Sequence, residues 1–271
     1  MAIINFAHAN GFPAPSYNKL WRLLPGDHQI IAKPMYGHDE HRPVSDNWQN
    51  QVEELLAFVK TNADEPVIAV GHSFGGVISF MACCQAPELF KGLIMLDPPI
   101  VAGMVSRLFR VLKKTPLIDS VVPSGKSKYR KSEWQPDEDL HAYFKPKALF
   151  RYFDEECLAD YIRSATVKDK EGARLIYKVA IETQIFRYIP HNIHHFDGKL
   201  KVPAYLYTAE HTNVCFPYIA RRFQRCHPGM KYHVIPKVGH MFPLEKPQQT
   251  AQLLAELIAE IDTKQGSSDA A

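Results

Sequence analysis

The chain has 271 residues, of which 46% are apolar and 23% charged, with a net charge of +3. That is enough apolar material for one large domain or a domain with an insertion, and it excludes global disorder. The mild charge, the lack of a basic stripe interleaved with aromatics and the lack of an apolar run of spanning length argue against nucleic-acid and membrane partners.

The start, Met1-Ala2-Ile3-Ile4-Asn5-Phe6, lacks the basic region and long apolar segment of a signal peptide, so a cytoplasmic protein is expected. Ile3 to Ala7 predicts a short buried strand, closed by the Gly- and Pro-punctuated loop from His8 to Pro15. A helix over Tyr17–Leu24 follows, with Ser16 as its cap and Pro25-Gly26 as its stop. His28–Ala32 is a second strand, and Ser45 or Asp46 opens a helix whose apolar residues recur at three and four through Val59.

Val67-Ile68-Ala69-Val70 then leads into Gly71-His72-Ser73-Phe74-Gly75, and small residues follow at Gly76, Ser79 and Ala82. Strand, sharp turn and closely packed helix form the context in which G-x-S-x-G places a serine hydroxyl clear of a sheet as a nucleophile. Gly92–Asp97 is the next apolar strand, stopped by Pro98-Pro99. Strands alternating with helices predict a parallel, doubly wound sheet.

From 100 to 198 helical periodicity replaces the alternation, which predicts a helical cap inserted into a core made of residues 1–99 and 199–271. Residues 105–133 carry a net +6, a bias suited to a solvated face or to an anionic ligand. The sheet resumes at Pro203–Thr208 and Tyr232–Ile235, the latter running into Val238-Gly239-His240-Met241-Phe242-Pro243. An amphipathic helix through Ile261 closes the fold, and 265–271 reads as a frayed polar tail. Five scattered cysteines suit reduced thiols, and adjacent Cys83 and Cys84 suit small core positions.

A serine needs a base, and thirteen histidines compete. His240 has the context: it follows the last strand beside Gly239 and precedes an anchoring helix. His72 should point away into elbow packing, and His8 suits a structural hydrogen bond. His191, His194 and His195 have no cysteine or carboxylate to complete a metal set. Asp97 lies 24 residues beyond Ser73, so one crossover brings both to the carboxyl edge of neighbouring strands.

The order of Asn10-Gly11-Phe12-Pro13, Gly71–Gly76, an insertion after Asp97 and Gly239–Pro243 resembles the α/β-hydrolase superfamily over almost the whole length. The resemblance implies an α/β-hydrolase core of about six strands, with the family's usual N-terminal hairpin missing and the exposed edge open or covered by a partner. It also implies an oxyanion hole from the amide of Phe74 and one donor from the Asn10–Phe12 loop. Phe12 follows the Gly matching the family's His-Gly pair, and the Asn10 side chain is an alternative donor. The turn that usually carries the acid reads Ala209-Glu210-His211-Thr212-Asn213, with Thr212 at the acid's own place. Some family members carry the acid where Asp97 stands, so Asp97 is assigned, with Glu210 as the alternative.

A serine nucleophile separates this chain from the dehalogenase and epoxide hydrolase branches. The implied activity is a serine hydrolase acting on a small-molecule carboxylic ester, without metal or organic cofactor and with homo-oligomerisation left open. A thioesterase or acyltransferase would use the same triad, and a non-catalytic ligand-binding protein is the alternative from another class. The aromatic-rich insertion suggests an apolar acyl or alcohol portion.

Overall fold

A computed structural model describes residues 1–268 and the side chains through Thr263. Among these residues six parallel strands form the main sheet: β1 (Ile3–Ala7), β2 (Gln29–Ala32), β3 (Val67–His72), β4 (Phe90–Leu96), and after a long excursion β8 (Ala204–His211) and β9 (Met230–Gly239). Their order is β2-β1-β3-β4-β8-β9. The inner strands β1, β3 and β4 read as nearly continuous apolar runs because both faces are covered. Along β3, Val67 and Ala69 face one core layer while Ile68 and Val70 face the other; in β4, Leu93 and Met95 alternate with Ile94 and Leu96 in the same way.

Two groups of helices cover the faces. On one lie α2 (Gln49–Asn62), α3 (Phe74–Gln85) and α10 (Pro217–Cys226), through Val52, Val77, Phe80 and Phe223. On the other lie α1 (Asn18–Leu23), α11 (Phe242–Glu245) and α12 (Pro247–Ser268), through Leu20, Leu244, Leu254 and Ile258. The chain leaves β1 outward to β2 and returns on the opposite side to β3, so the strand order reverses between β1 and β3. A parallel sheet opens a crevice at the carboxyl ends of strands at such a reversal. The loop after β1 and the turn after β3 both stand there.

Between β4 and β8 lie α4 (Met104–Leu112), α5 (Ile118–Val121), α6 (Ser124–Ser127), α7 (Leu140–Phe144), α8 (Glu155–Ala165) and α9 (Val179–Arg187). The expectation of a purely helical insertion needs correction. β5 (Glu133–Trp134), β6 (Thr166–Asp169) and β7 (Gly172–Leu175) form a small antiparallel sheet in the order β5-β7-β6. Its hairpin reverses at Gly172, whose φ of +132° is open mainly to glycine.

Smaller differences have local causes. The stretch from Ala14 to Tyr17 is a 3-10 turn, and Ser16 bonds the hydroxyl of Ser164 rather than capping α1. Before α2, Asn47 and Trp48 take positive φ, while the Ser45 hydroxyl accepts from the amide of Asn50. The tail expected to fray continues α12 through Ser268, and its last three residues lie outside the described residues.

Candidate active site

Ser73 sits between the last residue of β3 and the first of α3 with φ 54° and ψ −120°, a conformation that is costly for a residue with a Cβ. Its neighbours make the bend feasible. A Cβ on Gly71 would stand 2.3 Å from the carbonyl oxygen of Gly75, and one on Gly75 would stand 2.0 Å from that of Ala7. Only glycine lets strand and helix backbones approach so closely. The Ser73 amide donates to Leu96 O at 2.8 Å, tying the bend to β4.

The imidazole of His240 meets the serine from the turn after β9, with Nε2 3.1 Å from Ser73 Oγ. On its other side Nδ1 lies 2.6 Å from Oδ2 of Asp97, which follows β4 and is fully buried. A carboxylate only accepts, so Nδ1 carries the proton and Nε2 offers its lone pair to the Ser73 hydroxyl. Asp97 also has a positive φ, 45°.

The Asp97 carboxylate is surrounded by donors. Its Oδ1 accepts from the amide of Ala209 at 3.2 Å, and Oδ2 accepts from the hydroxyl of Thr212 at 2.6 Å. The direction of the second bond is fixed, because Thr212 Oγ1 itself accepts from Val214 N at 3.0 Å and so points its proton to Asp97. Thr212, at the place where the resemblance expects an acid, thus contributes a donor to the Asp97 carboxylate at the end of the neighbouring strand.

Glu210 is not beside His240. Its carboxylate accepts from the amide of Lys237 at 2.7 Å, at an exposed irregularity of β9 where Lys237 has φ 60°. That alternative is corrected: Glu210 caps a bulge, and among the described residues Asp97 is the carboxylate bonded to the His240 ring.

His72 points away from Ser73, as expected, and its surroundings show why it is there. It is fully buried, and burial holds its pKa well below the ordinary histidine value. The neutral ring donates from Nε2 to the carbonyl of His240 at 3.0 Å, so Nδ1 accepts from the hydroxyl of Tyr17 at 2.7 Å. Tyr17 in turn accepts from the amide of Ala9 at 3.4 Å. The loop after β1, the elbow and the His240 turn are therefore joined through one tyrosine and one neutral histidine. Tyr17 and Thr212 are the two contributors that the sequence reading missed. His8 is structural: it donates from Nδ1 to Ala9 O and accepts from Tyr36 N, and burial pushes its pKa down to about 4.

The oxyanion candidates divide. Phe74 is the first residue of α3, a position whose N–H has no partner within the helix. The Phe12 amide donates to Ala9 O at 3.1 Å and closes a turn through Gly11, which has φ +79°. The Asn10 side chain is partly engaged: one N–H of its amide donates to Glu182 O at 2.9 Å and its oxygen accepts from Tyr177 at 3.3 Å. Above this loop lies an ion pair, with Arg130 Nη1 2.6 Å from Glu182 Oε2, and a Cβ on Gly11 would come within 3.3 Å of both side chains. Among the described residues no group of three His, Cys, Asp or Glu is arranged to hold a metal ion, and no helix is long and apolar enough to cross a membrane.

Residues 6–253 match the model of the alpha/beta hydrolase family. Mouse monoglyceride lipase is 28% identical over 131 residues, covering 45% of this chain and 43% of the lipase, so the match spans less than half of that relative. An uncharacterized hydrolase, YugF of Bacillus subtilis (strain 168), is 24% identical over 254 residues, covering 90% of this chain and 85% of its own length. Among solved structures, E-2-(acetamidomethylene)succinate hydrolase superposes with a TM-score of 0.78 over 95% of this chain and 91% of that one, at 16% identity, a likeness of fold. With the family model covering all but the two ends, and a parallel sheet that brings Ser73, His240 and Asp97 together, this chain belongs to the alpha/beta hydrolase family.

Proposed function

We propose that the protein is a serine hydrolase cleaving a small-molecule carboxylic ester through an acyl-enzyme on Ser73. The observation that carries this reading is the continuous line Ser73 Oγ, His240 Nε2, His240 Nδ1, Asp97 Oδ2, with separations of 3.1 and 2.6 Å at its two hydrogen bonds. The lipase name of a partial relative supports an ester, though it describes that protein.

In this mechanism Ser73 Oγ attacks the acyl carbon while His240 Nε2 takes its proton. The ester C–O bond then breaks, and His240 returns the proton to the departing alcohol. Water adds to the acyl-serine with the same imidazole as base, releasing the acid and restoring Ser73. Asp97 keeps Nδ1 protonated and stabilises the charged ring without taking the proton. The developing oxyanion takes the Phe74 amide and also that of Phe12. Phe12 exchanges its neutral carbonyl partner for a charged acceptor, the stronger of the two bonds. Thioester cleavage drew its support from the basic stretch, and that support weakens because Lys113, Lys128, Arg130 and Lys131 each face a carboxylate.

Stopped-flow hydrolysis of p-nitrophenyl esters of increasing acyl length, with matched thioesters in parallel, tests the proposal. The expected result is release of nitrophenol, preference for esters, and loss of turnover in Ser73→Ala by at least about 10³-fold. Wild-type protein that is folded yet inert toward every ester and thioester would favour the ligand-binding alternative.

A further inference from the structure

The excursion between β4 and β8 carries an apolar ridge that no other described residue covers. Met104 is 86% exposed, and Leu108 and Val111 are 60% exposed each. At 100° per residue these three α4 side chains fall within an arc of about 60°. Phe109, on the helix's other side, is buried and pins α4 to the core. Leu117 and Val121, 63% and 59% exposed, extend the apolar surface across the turn into α5.

Half of the charges around the ridge are uncompensated. Of the eight cations in the basic stretch, Lys113 pairs with Asp46, Lys128 with Asp119, Arg130 with Glu182 and Lys131 with Glu138. Arg107, Arg110, Lys114 and Lys126 are exposed, and among the described residues no ion pair engages them. Asp119, the acid nearest in sequence, is already held by Arg187 and Lys128. On the helical wheel Arg107 and Arg110 flank the apolar arc on the edge away from Phe109. The surface is thus a convex apolar strip with free guanidinium groups along one rim.

We propose that α4 and the α5 turn dock the protein on the surface of an anionic lipid bilayer. Met104, Leu108 and Val111 enter the boundary between headgroups and acyl chains, and Arg107 and Arg110 reach the phosphates. A short helix with an apolar stripe and cations on its flank lies in such an interface without spanning it. The free cations select anionic lipid. The unpaired Arg107 and Arg110 beside exposed apolar side chains match a surface that is anionic outside and apolar beneath, as an anionic bilayer is. This revises the expectation of no membrane partner, which rested on the absence of a spanning segment. Docking does not depend on the hydrolytic reading, although α4 begins only seven residues beyond Asp97.

Co-sedimentation of the full chain with sucrose-loaded vesicles tests this, using equimolar phosphatidylcholine and phosphatidylglycerol beside phosphatidylcholine alone. Wild type is expected to sediment with the anionic vesicles and to be released as salt rises from about 0.05 to 0.5 M. Leu108→Asp, and separately Arg107→Glu with Arg110→Glu, should each lower the partition coefficient by about tenfold or more. Both variants should keep the wild-type melting midpoint and the wild-type rate on a soluble ester. Wild type remaining in the supernatant at millimolar anionic lipid, or Leu108→Asp partitioning unchanged, would overturn the proposal. Equal binding to both vesicle types would overturn its charge component. A wild-type dimer in sedimentation velocity that Leu108→Asp dissociates, with no vesicle binding, would overturn it in favour of a second copy on the ridge.

Discussion

Thr212 shows how a single side chain redistributes work within a site. It cannot neutralise an imidazolium, but its hydroxyl, 2.6 Å from Asp97 Oδ2, helps hold the carboxylate that can. Replacing it by valine removes one donor to a charged acceptor, and steady-state kinetics should show kcat reduced by about tenfold with KM little changed. Asp97→Asn should cost about 10⁴ in kcat through the wrong imidazole tautomer, whereas Glu210→Gln, at its exposed bulge, should leave the rate near wild type. The reverse ranking would contradict the assignment. Buried His8 makes a prediction about stability. With a folded pKa of about 4 against an ordinary 6.5, it takes up its proton more readily when the chain unfolds. Its contribution is therefore complete above about pH 6.5 and lost as pH falls toward 4, for a total near 3 kcal/mol. Urea unfolding between about pH 4.5 and 7 should show wild-type stability falling more steeply with acid than that of His8→Gln. Parallel slopes would contradict the burial argument.

At the scale of elements, the elbow and the excursion carry different risks. Gly75→Ala sets a Cβ 2.0 Å from the Ala7 carbonyl oxygen, backbone that cannot yield without separating α3 from β1. A loss of about 4 kcal/mol or more is expected, visible as a collapsed melting midpoint. The Arg130–Glu182 pair links the chain between α6 and β5 to α9, directly over Gly11. Arg130→Met leaves a largely buried carboxylate unpaired and should cost about 3–5 kcal/mol, while Arg130→Met with Glu182→Met should recover most of it. Denaturant titrations of the two variants and the double variant would test this; additive losses would show that the pair is not coupled. The elbow was legible because glycine is obligatory at close approach and so leaves a fixed signature around Ser73. The β6–β7 hairpin was not, because its strands are four residues long and β6 is mostly exposed; Thr166-Val167 before the turn at Gly172 was the available signal. The aromatic residues of the excursion also misled. Phe144, Phe150 and Tyr161 stack on one another, and Tyr161 on Phe12, at ring separations near 5 Å, and they join the core layer on one face of the main sheet, so their abundance says little about a ligand.

For the molecule as a whole, the alternation of strands and helices outside the excursion carried the sheet. The inner strands β1, β3 and β4 are largely apolar on both faces, and each crossover restores the helical period. That regularity also located Asp97 beside Ser73, since a single crossover leaves little freedom in where the next strand ends. What sequence spacing could not supply were bonds between distant segments: Tyr17 to His72 across 55 residues and Asn10 to Glu182 across 172. The second of these engages one of the two N–H groups of the Asn10 amide. Whether Ser73 is an activated nucleophile is tested most directly by active-site titration with a fluorophosphonate followed by peptide mass mapping. One adduct per folded chain is expected, located on Ser73, absent in Ser73→Ala and formed far more slowly in His240→Ala. Folded wild-type protein that stays unlabelled, or that is labelled on another residue, would contradict it.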